Sequence, residues 1–174
     1  MAILERIREL GLELPATAAP LGAYVPAVRT GNLVFTSGQL PIQAGTLIAT
    51  GKVPAQVSLE TAQACARQAA LNALAAAASV TGGGAGGSHA GASAASASGV
   101  GATSGIEKIA RIIRLNVFVN SSPGFTDQAK VANGASELLV KVFGDAGRHT
   151  RCAIGASDLP LNAPLELDLV VEVA

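Results

Sequence analysis

Near its C-terminus the chain alternates with period two. Leu165, Leu167, Leu169, Val171 and Val173 are apolar, while Glu166, Asp168 and Glu172 fall between them. Successive side chains of a strand point to opposite faces, so this run reads as a strand with one face in a core and one turned away from it. Such a strand needs neighbours in a sheet and a layer to lie against. A second alternation sets Ile113, Leu115, Val117 and Val119 against Arg114, Asn116, Phe118 and Asn120, within a strand expected over 106–120. The layer comes from two helices. Residues 59–79 are rich in Ala, Leu and Gln, with Ser58 as N-cap and Glu60 in the first turn. Leu59, Ala62, Ala66, Ala69, Ala70, Ala73 and Ala77 recur at helical spacing, a face small enough to lie close to a sheet. Ser122-Pro123 predicts the start of the other long helix and Gly144 its end.

The remaining elements are shorter. Residues 2–10 alternate charge with apolar side chains and predict an amphipathic helix. The stretch 12–21 holds Pro15 and Pro20 and reads as a connector. Strands are expected at 24–30 and 33–36 around a Gly31-Asn32 turn, with a loose hairpin near 46–49 and a short strand at 151–156 that Leu159-Pro160 ends. Mixed strands with two long helices on one face make an α+β two-layer sandwich, a single domain over 1–174.

Between residues 81 and 105 the sequence is almost all Gly, Ala and Ser, with no charge and no aromatic ring. It cannot bury enough apolar surface to offset its ordering entropy and reads as a flexible surface loop. Closure entropy rises only about 0.6 kcal/mol per doubling of loop length, so a fold tolerates the insert.

Composition excludes several functions. Twelve Lys and Arg balance twelve Asp and Glu, with no basic run, which opposes binding to a phosphate backbone. No apolar run approaches the roughly 20 residues that span a bilayer, and no signal-peptide core is visible. The expectation is no nucleic acid and no membrane. Cys65 and Cys152 fit free thiols in a reducing compartment, with the cytosol as default and an organelle left open. His89 and His149 supply no tetrahedral metal set, since His149-x-x-Cys152 has no second pair, and phosphate-binding glycine motifs and a nucleophile elbow are absent. Low charge and many small apolar residues favour a homo-oligomer.

Two charged residues, Arg151 and Glu166, stand out, although Glu166 alone also fits the solvent face of an edge strand. Arg151 opens an apolar strand, where an unpaired charge is costly, and its planar fork suits a carboxylate. Its partner is either a ligand or Glu166 or Asp168, in an ion pair between strands. Cys152, beside Arg148, His149 and Arg151, is either a reactive thiol or a small buried residue.

Tyr24 in Gly22-Ala23-Tyr24-Val25, the run Thr36-Ser37-Gly38-Gln39-Leu40-Pro41, Asn133, Arg151-Cys152-Ala153, Leu159-Pro160 and Leu165-Glu166-Leu167-Asp168 occur in one order. Together they resemble the Rid/YjgF family of reactive intermediate deaminases, also called endoribonuclease L-PSP, from residue 20 to the end except the insert. The resemblance implies a chorismate-mutase-like fold and a homotrimer with pockets between subunits. It implies hydrolysis of enamine or imine intermediates such as 2-aminoacrylate to 2-keto acids and ammonia, without a cofactor. Carried over, Arg151 grips the substrate carboxylate and Glu166 positions or activates water. Backbone N–H groups near Gly38 and Cys152 orient the substrate, and Tyr24, Ser37 and Asn133 line the pocket. Cys152 stands where the archetype has Ser, and Ala153 where it has Cys, which marks a divergent subgroup. The same pocket also suits a non-catalytic binder of small carboxylates, and the older ribonuclease label meets the charge argument above.

Overall fold

The computed structural model describes residues 2–17, 23–81 and 104–174. Five strands form one mixed sheet in the order β1-β2-β7-β5-β6: β1 (Ala27–Thr30), β2 (Leu33–Thr36), β5 (Ile109–Asn120), β6 (Thr150–Ala156) and β7 (Leu165–Val173). Every neighbouring pair is antiparallel except β5 and β6, which run parallel. A separate hairpin of β3 (Ile42–Gln43) and β4 (Thr46–Leu47) turns through Ala44 and Gly45, both at positive φ, as a tight two-residue loop requires.

Helix α2 (Leu59–Ser79) and helix α3 (Gln128–Phe143) pack on one face of the sheet. The Ser58 hydroxyl accepts from the Thr61 amide at 3.2 Å, as an N-cap should. Ala62, Ala66, Ala69, Ala70, Ala73 and Ala77 are all fully buried, so the small-residue face does bring α2 close to its neighbours. Leu115, Val117 and Val119 of β5 and every odd-numbered residue of β7 from Leu165 to Val173 close the core from the sheet side. Gly134 sits where α3 crosses α2: a Cβ there would overlap the Gln63 carbonyl.

Four local expectations need correction. Helix α3 starts at Gln128 and not at Ser122-Pro123. The Ser122 amide donates to Val53 O at 2.8 Å and the Phe125 amide to Ser122 O at 3.1 Å, so these residues form a turn through Gly124 at φ +78. In β5 the regular alternation holds only from Leu115 to Val119. Irregularities between Ile109 and Arg111, and between Ile112 and Arg114, shift the register, burying Ile112 in place of Ile113. Residues 106–108, expected in that strand, form a single 3₁₀ turn. Strand β1 begins at Ala27, leaving Tyr24 in the preceding bend. Asn120 is buried at the end of β5, its side chain donating to Ala163 O at 3.1 Å and accepting from Lys52 Nζ at 3.0 Å.

The expected loop at 81–105 lies outside the described residues but for its ends. Those ends meet, the Thr81 hydroxyl donating to Gly105 O at 2.7 Å.

Helix α1 (Ile3–Glu9) docks against α3 and the 3₁₀ turn, with Ile7 fully buried. Its first amides would lack partners, but Glu107 supplies them: Oε2 accepts from Ile3 N at 2.9 Å and Oε1 from Leu4 N at 2.8 Å. Arg6 Nη1 donates to Val142 O at 3.0 Å, fixing the other side. Glu107→Ala is expected to cost about 1 kcal/mol, the usual worth of a lost N-terminal cap. In thermal unfolding this lowers Tm by roughly 2–4 °C. An unchanged Tm would show that α1 docks without this carboxylate.

Candidate functional site

Arg151 projects from the edge strand β6, opposite Leu115 of β5, which in turn pairs with Leu169 of β7. Leu115 and Leu169 are fully buried under the helices, so Arg151 leaves the sheet on its helix face and reaches α3 at the border. There Nη1 donates to Asn133 Oδ1 at 2.9 Å and to Ser136 Oγ at 3.0 Å. Asn133 and Ser136 are three residues apart on the helix and therefore share a face. The side chain is exposed, and its Nε and Nη2 make no hydrogen bond among the described residues. Neither Glu166 nor Asp168 pairs with it, so the expected strand-to-strand ion pair is absent among the described residues.

Glu166 lies on the other face. It pairs with Phe118, three residues from Leu115 along β5, so the two point oppositely. Its carboxylate approaches the backbone at Gly38, where an added Cβ would overlap Oε1. Burial, and after it the negative charge of Asp168, holds the Glu166 carboxyl above its usual value near 4.5. Asp168 itself accepts from Asn116 Nδ2 at 2.8 Å, and Asn116 Oδ1 accepts from Arg114 Nε at 2.9 Å.

Gly38 is set by the strand exit around it. Gln39 exchanges backbone bonds with Leu167, at 2.7 and 3.1 Å, which carries the chain along β7 beside Glu166. The Ser37 hydroxyl donates to Val25 O at 2.6 Å and ties down the segment that holds Tyr24. Tyr24 is 51% exposed. Cys152 pairs with Asn116, which pairs with Asp168, so its half-buried side chain lies on the face away from the helices. The other cysteine, Cys65, is buried in α2, and burial pushes its thiol up to about 11.

The expected site residues therefore form two groups within one chain. Arg151 and Asn133 meet at the border of the helix face, while Glu166, Gly38 and Ser37 gather on the open face. Ser136 and His149 were not read as part of the first group. Ser136 carried one signal, its spacing of three from Asn133. His149 carried none apart from its nearness to Arg151 in the chain. Among the described residues no group of three or more His, Cys, Asp and Glu could hold a metal ion, and no helix is long and apolar enough to cross a membrane.

A family model described as "YjgF/chorismate mutase-like, putative endoribonuclease" matches residues 5–88. Protein TCP17 of Trypanosoma cruzi is 37% identical over 172 residues, covering 98% of this chain and 94% of that protein. An Agrobacterium tumefaciens structure of unknown function is 39% identical with a TM-score of 0.79, covering 99% of this chain and 92% of that one. A Shewanella oneidensis structure, described as a "putative endoribonuclease", is 31% identical with a TM-score of 0.83, covering 99% and 100% of the two chains. The alignments with all three relatives therefore take in the N-terminal segment as well as the core.

Proposed function

The chain belongs to the YjgF/Rid family, and on that footing we propose that it hydrolyses small enamine or imine acids, of the 2-aminoacrylate kind, to 2-keto acids and ammonia. The observation that carries this reading is the anchored arginine. With Nη1 committed to Asn133 and Ser136, the Nε–Nη2 edge of Arg151 is left to bind a carboxylate through two parallel bonds. A bound imine acid already has an electrophilic carbon, so the protein needs chiefly to orient it and bring water. Water adds to the C=N carbon while one of its protons passes to the nitrogen through a carboxylate. The hydroxyl of the resulting carbinolamine then gives its proton to the amino nitrogen by the same route, and the C–N bond breaks as the C=O forms, releasing ammonia and the 2-keto acid. Glu166 is the carboxylate for that transfer.

Arg151 and Glu166 leave opposite faces of the sheet, so a pocket holding both draws them from different copies. The open face supports such an assembly. Val28, Phe35 and Ile154 are 54%, 44% and 47% exposed there, beside the partly buried Phe118 and Val170. A homotrimer that covers this face places pockets between subunits. Its mass, measured by light scattering, tests the assembly.

Ammonia release from enzymatically generated 2-aminoacrylate tests the activity. Arg151→Ala is expected to lower kcat/KM at least about a hundredfold, the scale for losing a charge-assisted clamp. Equal activity in that variant and the parent would overturn the mechanism. A second reading, a non-catalytic carboxylate binder, draws on the fact that the arginine anchor is complete within one chain while Glu166 stands apart from it. Saturable binding of 2-ketobutyrate with no ammonia release selects it. Cleavage of RNA has no support in the balanced charge of the chain.

The raised Glu166 carboxyl gives a pH signature. A base must be ionised, so activity rises with pH through a point above the usual 4.5. Asp168→Asn removes a like charge and is expected to move that limb toward lower pH. The sign for folding is opposite. A raised carboxyl favours the folded state fully below the unfolded value, and that contribution is lost as pH climbs through the folded one. An acid limb that stays put in Asp168→Asn would assign it to another group.

A further inference from the structure

The Arg151 anchor continues beyond the two side chains it touches. Ser136 Oγ, 3.0 Å from Arg151 Nη1, also lies 3.0 Å from His149 Nε2. His149 Nδ1 in turn lies 2.6 Å from the carbonyl oxygen of Gly147. The ends of this series fix the direction of every bond. A carbonyl only accepts, so Nδ1 carries the imidazole proton, and in the neutral ring Nε2 is then an acceptor. A guanidinium only donates, so Ser136 Oγ accepts from Arg151 and sends its single proton to Nε2. The root of the series is held by backbone packing, since Gly147 is wedged against α3 so closely that a Cβ would overlap the Leu139 carbonyl.

We propose that Ser136 and His149 are positioning residues that hold the Arg151 guanidinium with its Nε–Nη2 edge turned outward to receive a carboxylate. This rests on the clamp reading of Arg151 given above. An exposed arginine has many rotamers. One bond to Asn133 leaves it free to swing, whereas two bonds from Nη1 to one face of α3 define its plane. His149 matters because a helical serine otherwise turns its hydroxyl toward the carbonyl four residues back. With the proton drawn to Nε2, the Ser136 oxygen keeps its lone pairs toward the guanidinium. The specificity that follows is for a carboxylate, which meets an arginine already in place.

The test is calorimetric binding of 2-ketobutyrate to the intact protein in mildly alkaline buffer, together with ammonia-release kinetics. Ser136→Ala and His149→Ala are each expected to weaken affinity and raise KM about tenfold, the worth of one charge-assisted bond, with kcat changed less than about twofold. The double variant should be no weaker than Ser136→Ala alone, because the two act in series. Ser136→Thr, which keeps the hydroxyl, should restore parental affinity. If Ser136→Ala binds as the parent does while Arg151→Ala does not bind, the positioning role is overturned and the clamp stands. If Arg151→Ala binds as tightly as the parent, the clamp itself is wrong and this proposal goes with it. A ligand-free measurement guards against variants that fail to fold. The ¹⁵N spectrum of the parent should show His149 as the Nδ1–H tautomer, and the opposite tautomer would overturn the series.

Discussion

Gly134→Ala is expected to destabilise the fold by about 2–3 kcal/mol, the upper part of the range for overpacking a tight interior. Helix propensity alone argues the other way, since alanine is favoured over glycine inside a helix by about 1 kcal/mol. Packing decides the sign. The atom that an added methyl meets is the Gln63 carbonyl oxygen, part of the α2 backbone, and a backbone atom inside a helix has nowhere to turn. The two helices must move apart along the line where their alanines meet. Thermal unfolding should show Tm lowered by roughly 5–10 °C. Because Asn133 and Ser136 flank Gly134 on α3, the same variant should also weaken the hold on Arg151. A Gly134→Ala protein as stable as the parent would mean that α2 and α3 do not cross at this point.

Gly38→Ala should behave in the opposite way, leaving stability nearly intact and removing activity. Here the added methyl meets the end of the Glu166 side chain, which can rotate aside. The fold keeps its backbone, but the carboxylate leaves the place where it would take a proton from water. Loss of a positioned base is worth about a hundredfold or more, so ammonia release should fall by at least that factor while Tm stays within a degree or two of the parent. Glu166→Gln gives the reference value. If Gly38→Ala retains full activity, Glu166 is not the group that handles the water.

These contrasts also show what could be read in the residues. The alternation in β7, the Ser58 cap and the stop at Gly144 each depend on chemistry within a few positions, and each appears where local rules place it. Ser122-Pro123 misled for an equally local reason. It has the composition of a helix start, but its backbone amide is taken by Val53, far away in the chain. The slip in β5 is of the same kind. Ile112 and Ile113 are chemically alike, and only the irregular pairing with β7 decides which one is buried. For the candidate site, residue chemistry singled out Arg151 and Glu166, and family resemblance gave them roles and added Gly38 and Asn133. What no spacing rule supplies is the face each occupies. The side on which Arg151 emerges depends on how β6 is aligned with β5, and alignment between strands is a property of the finished sheet.

In a trimeric assembly, the placement of Arg151 and Glu166 on opposite sides of one sheet has a genetic consequence. In the trimer proposed above, damage to either residue would spoil only the half of a pocket that its own copy supplies. A cell carrying one allele with Arg151 replaced and another with Glu166 replaced would make mixed rings, and wherever the two sound halves fall side by side a working pocket is rebuilt. Two defective alleles of such a protein complement each other in the heterozygote, whereas a single chain that carries both lesions rescues no partner.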